Sequence, residues 1–177
     1  MDKFSFCLKE KKLDYFSTLK KTSYDKNNNE YLCKDENQVV LDLDKIVKEK
    51  YPKKQPSSVD AIFVLPQGNY FRFYLIEFKN QIISKIDNNE IKKKLENSID
   101  VIKSILGQCN ISKKDVKFTY CVVFKNSKSK WRRGIEKNPI LFGLEEYKNY
   151  LIDDVFTNDV RWMSKEYKKI IGKTLNC

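Results

Sequence analysis

Two ionisable side chains stand where an apolar strand should end. Residues 60–79, DAIFVLPQGNYFRFYLIEFK, contain two aromatic and β-branched runs that meet at Pro66, Gln67, Gly68 and Asn69. Residues 59–65 and 70–78 read as strands, and the glycine-containing connection reads as a hairpin turn. The second run closes on Glu77 and Lys79. Charges at the end of so apolar a strand require a partner, a cation or a water-filled cleft. Side chains alternate along a strand, so Glu77 and Lys79 share a face and Phe78 takes the other. If Leu65 pairs with Tyr70 across an even-length turn, Asp60 falls opposite Leu75 and diagonal to Glu77, on the same face. Two carboxylates and an ammonium then converge. The plainer reading is a surface hairpin ending in an exposed ion pair, which contributes little.

Other elements must hold that hairpin in place. Val39, Val40, Leu43, Ile46 and Val47 lie on one side of a helix expected from about residue 35 and ended before Pro52. Projection at about 3.6 residues per turn puts Glu36 on its apolar face and Asp42 and Asp44 on the flanks, which makes Glu36 the acid most directed inward. Alternatively, Asp35 and Glu36 answer the positive end of the helix dipole. Asp87 and Glu90 open a second helix, which Ile91, Leu95, Ile99, Ile102 and Leu106 continue and Gly107 closes. Lys92, Lys93 and Lys94 fall in its first turns, as a solvated face or as phosphate contacts.

Residues 116–124, VKFTYCVVF, read as a buried strand. A strand, a helix and a strand in that order predict a right-handed parallel crossover. The expected fold class is therefore α/β: a mixed β-sheet with an antiparallel hairpin and a parallel strand, flanked by helices. Around it the pattern predicts short helices before residue 32, a polar turn at 25–30, a short strand at 140–142, a helix at 144–156 and a basic helix at 161–175. One domain spans residues 1–177, with its core at about 35–124.

Composition narrows the chemistry. Lys and Arg number 35 against 24 Asp and Glu, a net charge of +11. This favours a polyanion, nucleic acid rather than a membrane, unless it only reflects a lysine-rich proteome. Residues 125–134, KNSKSKWRRG, form a basic loop without an acid. Its Lys128, Lys130, Trp131, Arg132 and Arg133 suit a nucleic-acid strand, charges on phosphates and the ring on a base, or else Trp131 packs the loop against the body. Histidine is absent, which excludes His bases, His metal ligands and Ser-His or Cys-His nucleophiles. The five cysteines, odd in number and widely spaced, read as reduced thiols of a cytoplasmic, intracellular protein.

Taken together, a helix with an inward acid, a hairpin carrying Asp60 and Glu77-Phe78-Lys79, then a helix and a strand resemble the core of the PD-(D/E)XK nuclease superfamily over roughly residues 35–124. Val59 stands where the name motif has proline. The resemblance implies a restriction-endonuclease-like fold and a metal-dependent nuclease acting on nucleic acid, DNA in preference to RNA. It implies that Asp60, Glu77 and the carbonyl of Phe78 bind magnesium, or manganese in its place. Lys79 would be the catalytic lysine and Glu36 the helix acid. Those donor types suit magnesium, which takes carboxylate and carbonyl oxygens and keeps several waters. A non-catalytic nucleic-acid-binding or protein-interaction domain on the same fold is the alternative, a basic structural protein a third, and a homodimer is left open.

Overall fold

The β-branched and aromatic runs seen in the sequence do become strands, and they assemble into one mixed sheet. The computed structural model describes residues 3–10, 15–125 and 140–177. Its strands are β1 (Phe16–Thr18), β2 (Tyr24–Asp25), β3 (Glu30–Tyr31), β4 (Val39–Leu41), β5 (Ala61–Gln67), β6 (Tyr70–Lys79), β7 (Val116–Phe124) and β8 (Asp154–Asp159). The helices are α1 (Lys3–Glu10), α2 (Leu19–Thr22), α3 (Leu43–Lys50), α4 (Asn88–Gln108) and α5 (Val160–Ile171). Six strands form the sheet in the order β1-β4-β5-β6-β7-β8, and β2 and β3 form a separate ribbon. From β1 to β6 neighbours run antiparallel, whereas β7 and β8 add parallel. The chain is thus α/β, with the antiparallel hairpin, the parallel partner and the flanking helices expected. The sheet reaches beyond residues 35–124, because β1 and β8 come from the flanks.

The hairpin turn is tighter than its sequence suggests. Gly68 and Asn69 alone make it, with Gly68 at φ +57°, so Gln67 pairs with Tyr70 and Leu65 with Arg72. A two-residue turn needs positive φ, which glycine adopts at no steric cost. The expected pairing of Leu65 with Tyr70 was therefore out by two residues. An even shift keeps every side chain on its face. Asp60, in the bend just before β5, now comes level with Glu77 itself.

Each face of the sheet has its own core. Ile62, Phe73, Leu75, Tyr120 and Val122 pack with Leu8 of α1, Ile46 and Val47 of α3, and the apolar side of α4. Asp87 caps α4 by accepting the Asn89 N–H at 2.8 Å, and Ile91, Leu95, Ile99, Ile102 and Leu106 are buried along it. The helix runs past Gly107 and ends at Cys109. On the opposite face Ala61, Ile76 and Val123 pack with Val160, Met163 and Tyr167 of α5. Asp159 caps that helix and Gly172, at φ +76°, ends it. No helix among the described residues is long and apolar enough to cross a membrane.

Several expectations fail, for identifiable reasons. The helix expected from residue 35 is instead strand β4 followed by α3. Asp42 accepts the Lys45 N–H at 3.1 Å and so starts α3 in the middle of the predicted span. A residue that caps a helix stands outside it, and the β-branched pair Val39 and Val40 before it suits a strand. Residues 144–156 give one 3-10 turn, Leu144–Tyr147, and then β8. Asn149 at φ +65° breaks the expected helix, and β7 offers a parallel edge. Phe142, at φ +63°, likewise rules out a strand at 140–142.

The cysteines overturn their own reading. Cys7 is bonded to Cys109 and Cys33 to Cys177, leaving Cys121 free. Wide spacing hid both pairs, because the fold brings together residues 102 and 144 positions apart. Disulfides persist in oxidising compartments, so the cytoplasmic location loses the argument that carried it.

Candidate active site

Glu77 is the unusual residue of the fold. It follows Phe73 and Leu75 on the face covered by α4, and its side chain is 0% exposed. Two lysines hold one of its oxygens. Lys94 Nζ, from α4, lies 2.7 Å from Oε1, and Lys79 Nζ lies 3.3 Å from it. Lys79 also reaches Glu90 Oε1 at 2.7 Å. The other oxygen, Oε2, is buried without a hydrogen-bond partner among the described residues. A buried polar atom left so is costly and requires an explanation.

Asp60 faces it with the same division of labour. Its Oδ2 accepts the main-chain N–H of Phe78 at 2.6 Å. Its Oδ1 meets the Lys94 ammonium at 3.8 Å. The N–H and carbonyl of a strand residue point to one side, so the Phe78 carbonyl is directed to the side of Asp60. Glu77 thus has one oxygen held and one unpartnered, while facing Asp60 has one oxygen hydrogen-bonded and the other only in a long ion pair with Lys94.

Burial disfavours both negative charges. It pushes Asp60 well above the usual carboxylate range, and the charge of Glu77 adds to the rise. Burial also raises Glu77, against the opposing pull of Lys94 and Lys79. For Lys94, burial works against the ammonium, but Glu77 and Asp60 outweigh it and leave its pKa above the ordinary lysine value. These are the signs expected of desolvated groups that share opposite charges.

The site opens into a cleft of about 340 Å³. Asp60, Glu77, Lys79 and Lys94 line one side, and Tyr24, Asp25, Lys26 and Asn27 of the β2–β3 ribbon line another. Glu30 anchors that ribbon, accepting from Asn80 at 3.0 Å and from Lys125 at 2.6 Å. Asp25 shapes its tip by accepting the N–H groups of Asn27 and Asn28.

The structure brings Asp60, Glu77, Phe78 and Lys79 together as the sequence predicts. It leaves Glu36 out. That residue lies in a bend before β4, exposed and ion-paired with Lys20. With no helix there, its projection onto an apolar face has no basis. The acid of α3 that acts on the site is Asp44, one of the two set aside on the flanks. It accepts the Ser58 hydroxyl and lies close enough to add to the raised pKa of Asp60.

Lys94 was the residue missed. Its signal was present: it stands three residues after Ile91 and four before buried Ser98, on the inward side of α4. Lys92 instead pairs with Glu146 at 2.6 Å, and Lys93 is exposed. The nucleic-acid candidates Lys128, Lys130, Trp131, Arg132 and Arg133 lie outside the described residues.

The donor set suits a hard divalent ion in part. Asp60 and Glu77 offer carboxylate oxygens, and the unpartnered Oε2 of Glu77 is an atom that a cation would satisfy. Magnesium accepts one or two carboxylates and fills its remaining positions with water. Among the described residues no group of three or more metal-ligating side chains is gathered, so the ion would rest on this pair and main-chain oxygen. No family model, no curated protein and no solved structure matches the chain.

Proposed function

We propose that this protein is a divalent-metal-dependent nuclease of the PD-(D/E)XK kind, hydrolysing phosphodiester bonds in nucleic acid, DNA in preference to RNA. One observation carries the reading: a fully buried glutamate at a strand end, one oxygen held by two lysines and the other unpartnered, facing a second carboxylate at an open cleft. A structural ion pair needs no cleft, and a core needs no glutamate. The net charge of +11 suits a polyanionic substrate.

In this reading Asp60, Glu77 and the Phe78 carbonyl hold magnesium or manganese. When bound, the ion supplies Lewis-acid polarisation of a phosphoryl oxygen and activation of water. Lys79 is placed to orient the attacking water or to offset charge developing on phosphate. Glu90 fixes the Lys79 ammonium from the far side. Before an ion binds, the Phe78 N–H and Lys94 hold the two acids in place.

A second reading has its own support. Lys94 already gives both acids a cationic partner. A nucleic-acid-binding domain that has kept the fold without catalysis would show the same network.

One experiment separates the two. Supercoiled plasmid and a structured RNA are incubated with the protein and magnesium or manganese, beside Glu77→Ala and Lys79→Ala. Cleavage is expected from the wild type, faster on DNA, and lowered at least about a hundredfold in each variant, in keeping with loss of charge stabilisation at the reacting group. Undiminished cleavage in both variants, or none by the wild type with either metal, removes the catalytic reading. A salt-sensitive gel shift without cleavage favours the binding domain.

A further inference from the structure

Lys94 is placed as no other cation among the described residues is. Its Nζ lies 2.7 Å from Glu77 Oε1 and 3.8 Å from Asp60 Oδ1, on a side chain 18% exposed. Lys79, by contrast, divides its charge between Glu77 at 3.3 Å and Glu90 at 2.7 Å. Among the described residues Lys94 alone is ion-paired with both acids. It projects from α4, a 21-residue helix packed along the sheet, so its backbone cannot retreat.

That position conflicts with a divalent ion. An ion bound by Asp60 and Glu77 would put two positive charges beside the ammonium, in surroundings where burial weakens dielectric screening. The same carboxylates cannot satisfy both cations fully. Lys94 has a long flexible stem and a cleft to move into, whereas the carboxylates are tied by Lys79 and the Phe78 N–H.

We propose that Lys94 is a built-in counter-ion that a divalent metal must push aside to reach Asp60 and Glu77, so that this one lysine sets the metal concentration at which the site loads. The proposal rests on the metal-dependent reading above and goes further, in giving Lys94 a positioning role that the resemblance does not supply. Before loading, Lys94 keeps two facing acids from repelling one another. On loading, its ammonium is released toward the cleft, where the substrate's phosphates would lie.

The test is manganese binding by isothermal titration calorimetry to the full-length protein, without substrate. Lys94→Gln keeps an N–H donor for Glu77 and removes the charge, and Lys94→Arg keeps the charge. Lys94→Gln is expected to bind manganese at least about tenfold more tightly than the wild type, since one close like charge is gone. Lys94→Arg is expected to bind no more tightly than the wild type, and Glu77→Ala to lose binding. If Glu77→Ala loses binding but Lys94→Gln binds equally or more weakly, the counter-ion role is wrong and the metal site stands. Binding unaltered in Glu77→Ala, or absent from every protein, overturns the metal reading and the proposal with it. Should Lys94→Gln unfold without metal, recovery of its melting transition on adding manganese supports the proposal, and failure to recover at saturating manganese counts against it.

Discussion

The two faces of the sheet hold ionisable groups almost side by side, to different ends. On the face covered by α4, Glu77 sits level with Val122 of the neighbouring strand; on the face covered by α5, Cys121 sits level with Ile76. Burial raises the pKa of both. Glu77 has two lysines, a facing aspartate and a cleft. Cys121 lines an apolar pocket with Phe63, Tyr74, Trp162, Met163 and Tyr167. Burial by itself yields an inert thiol. Burial with counter-charges and an opening yields a carboxylate whose rise in pKa two lysines oppose at the edge of a cleft.

The largest effect should come from unbalancing the charged face. Lys94→Met keeps the length of the side chain and leaves Glu77 and Asp60 facing each other without their common cation. Removing one partner of a buried ion pair costs about 3–5 kcal/mol. The counterpart on the other face is Tyr167→Phe, which deletes only the hydrogen bond to Gln38. That change should cost about 1 kcal/mol. Urea unfolding of the two variants in metal-free buffer at neutral pH makes the comparison, and equal costs would show that the α4 face holds no special charge balance.

Next come the disulfides, one on each face. Cys7–Cys109 ties α1 to the end of α4, and Cys33–Cys177 ties the C-terminal residues to the segment after β3. Each closes a long loop, and replacing either pair by serine should lower stability by about 2–4 kcal/mol. The first lies at the far end of α4 from Lys94, whereas Cys33 exchanges hydrogen bonds with Ser23 at the base of the ribbon that lines the cleft. If the protein is the nuclease proposed, loss of the second bond should therefore lower plasmid cleavage more than loss of the first, and the opposite ranking in parallel assays would show that the ribbon does not depend on that bond for its place at the site.

The central hairpin, α4 and β7 were legible in the sequence because each shows one uninterrupted period. Asp60, Glu77 and Lys79 were legible because alternation alone decides their face, and an error of two residues in register leaves alternation intact. Residues 35–51 misled because Val39, Val40 and Leu43 satisfy a helical spacing although Asp42 interrupts it with a cap. Glu36 was lost with that helix. Asp44 and Lys94 depend on how α3 and α4 dock on the sheet, a tertiary fact that helix projection only narrows. The disulfides were invisible for the same reason, since spacing along the chain says nothing about distance across a fold.

The smallest effect sharpens the contrast from the apolar side. Burial pushes the Cys121 thiol from 9.0 up to about 12. In the folded protein it stays protonated where an exposed thiol ionises, and the thiolate is the reactive form. The sign for stability follows from a folded pKa above the unfolded one: the contribution is whole below pH 9.0 and is lost as pH rises toward about 12, because only the unfolded chain releases the proton in that window. Cys121→Ala removes this one dependence and leaves the lysines and tyrosines to titrate as before. The stability difference between wild type and variant should therefore shrink steadily above pH 9.0, while iodoacetamide at pH 8 should label Cys121 far more slowly in the folded protein than in urea. Rapid labelling of the folded protein at that pH, or a difference that stays flat with pH, would mean that the α5 face holds an activated group of its own and that the two faces are not the opposites their surroundings make them.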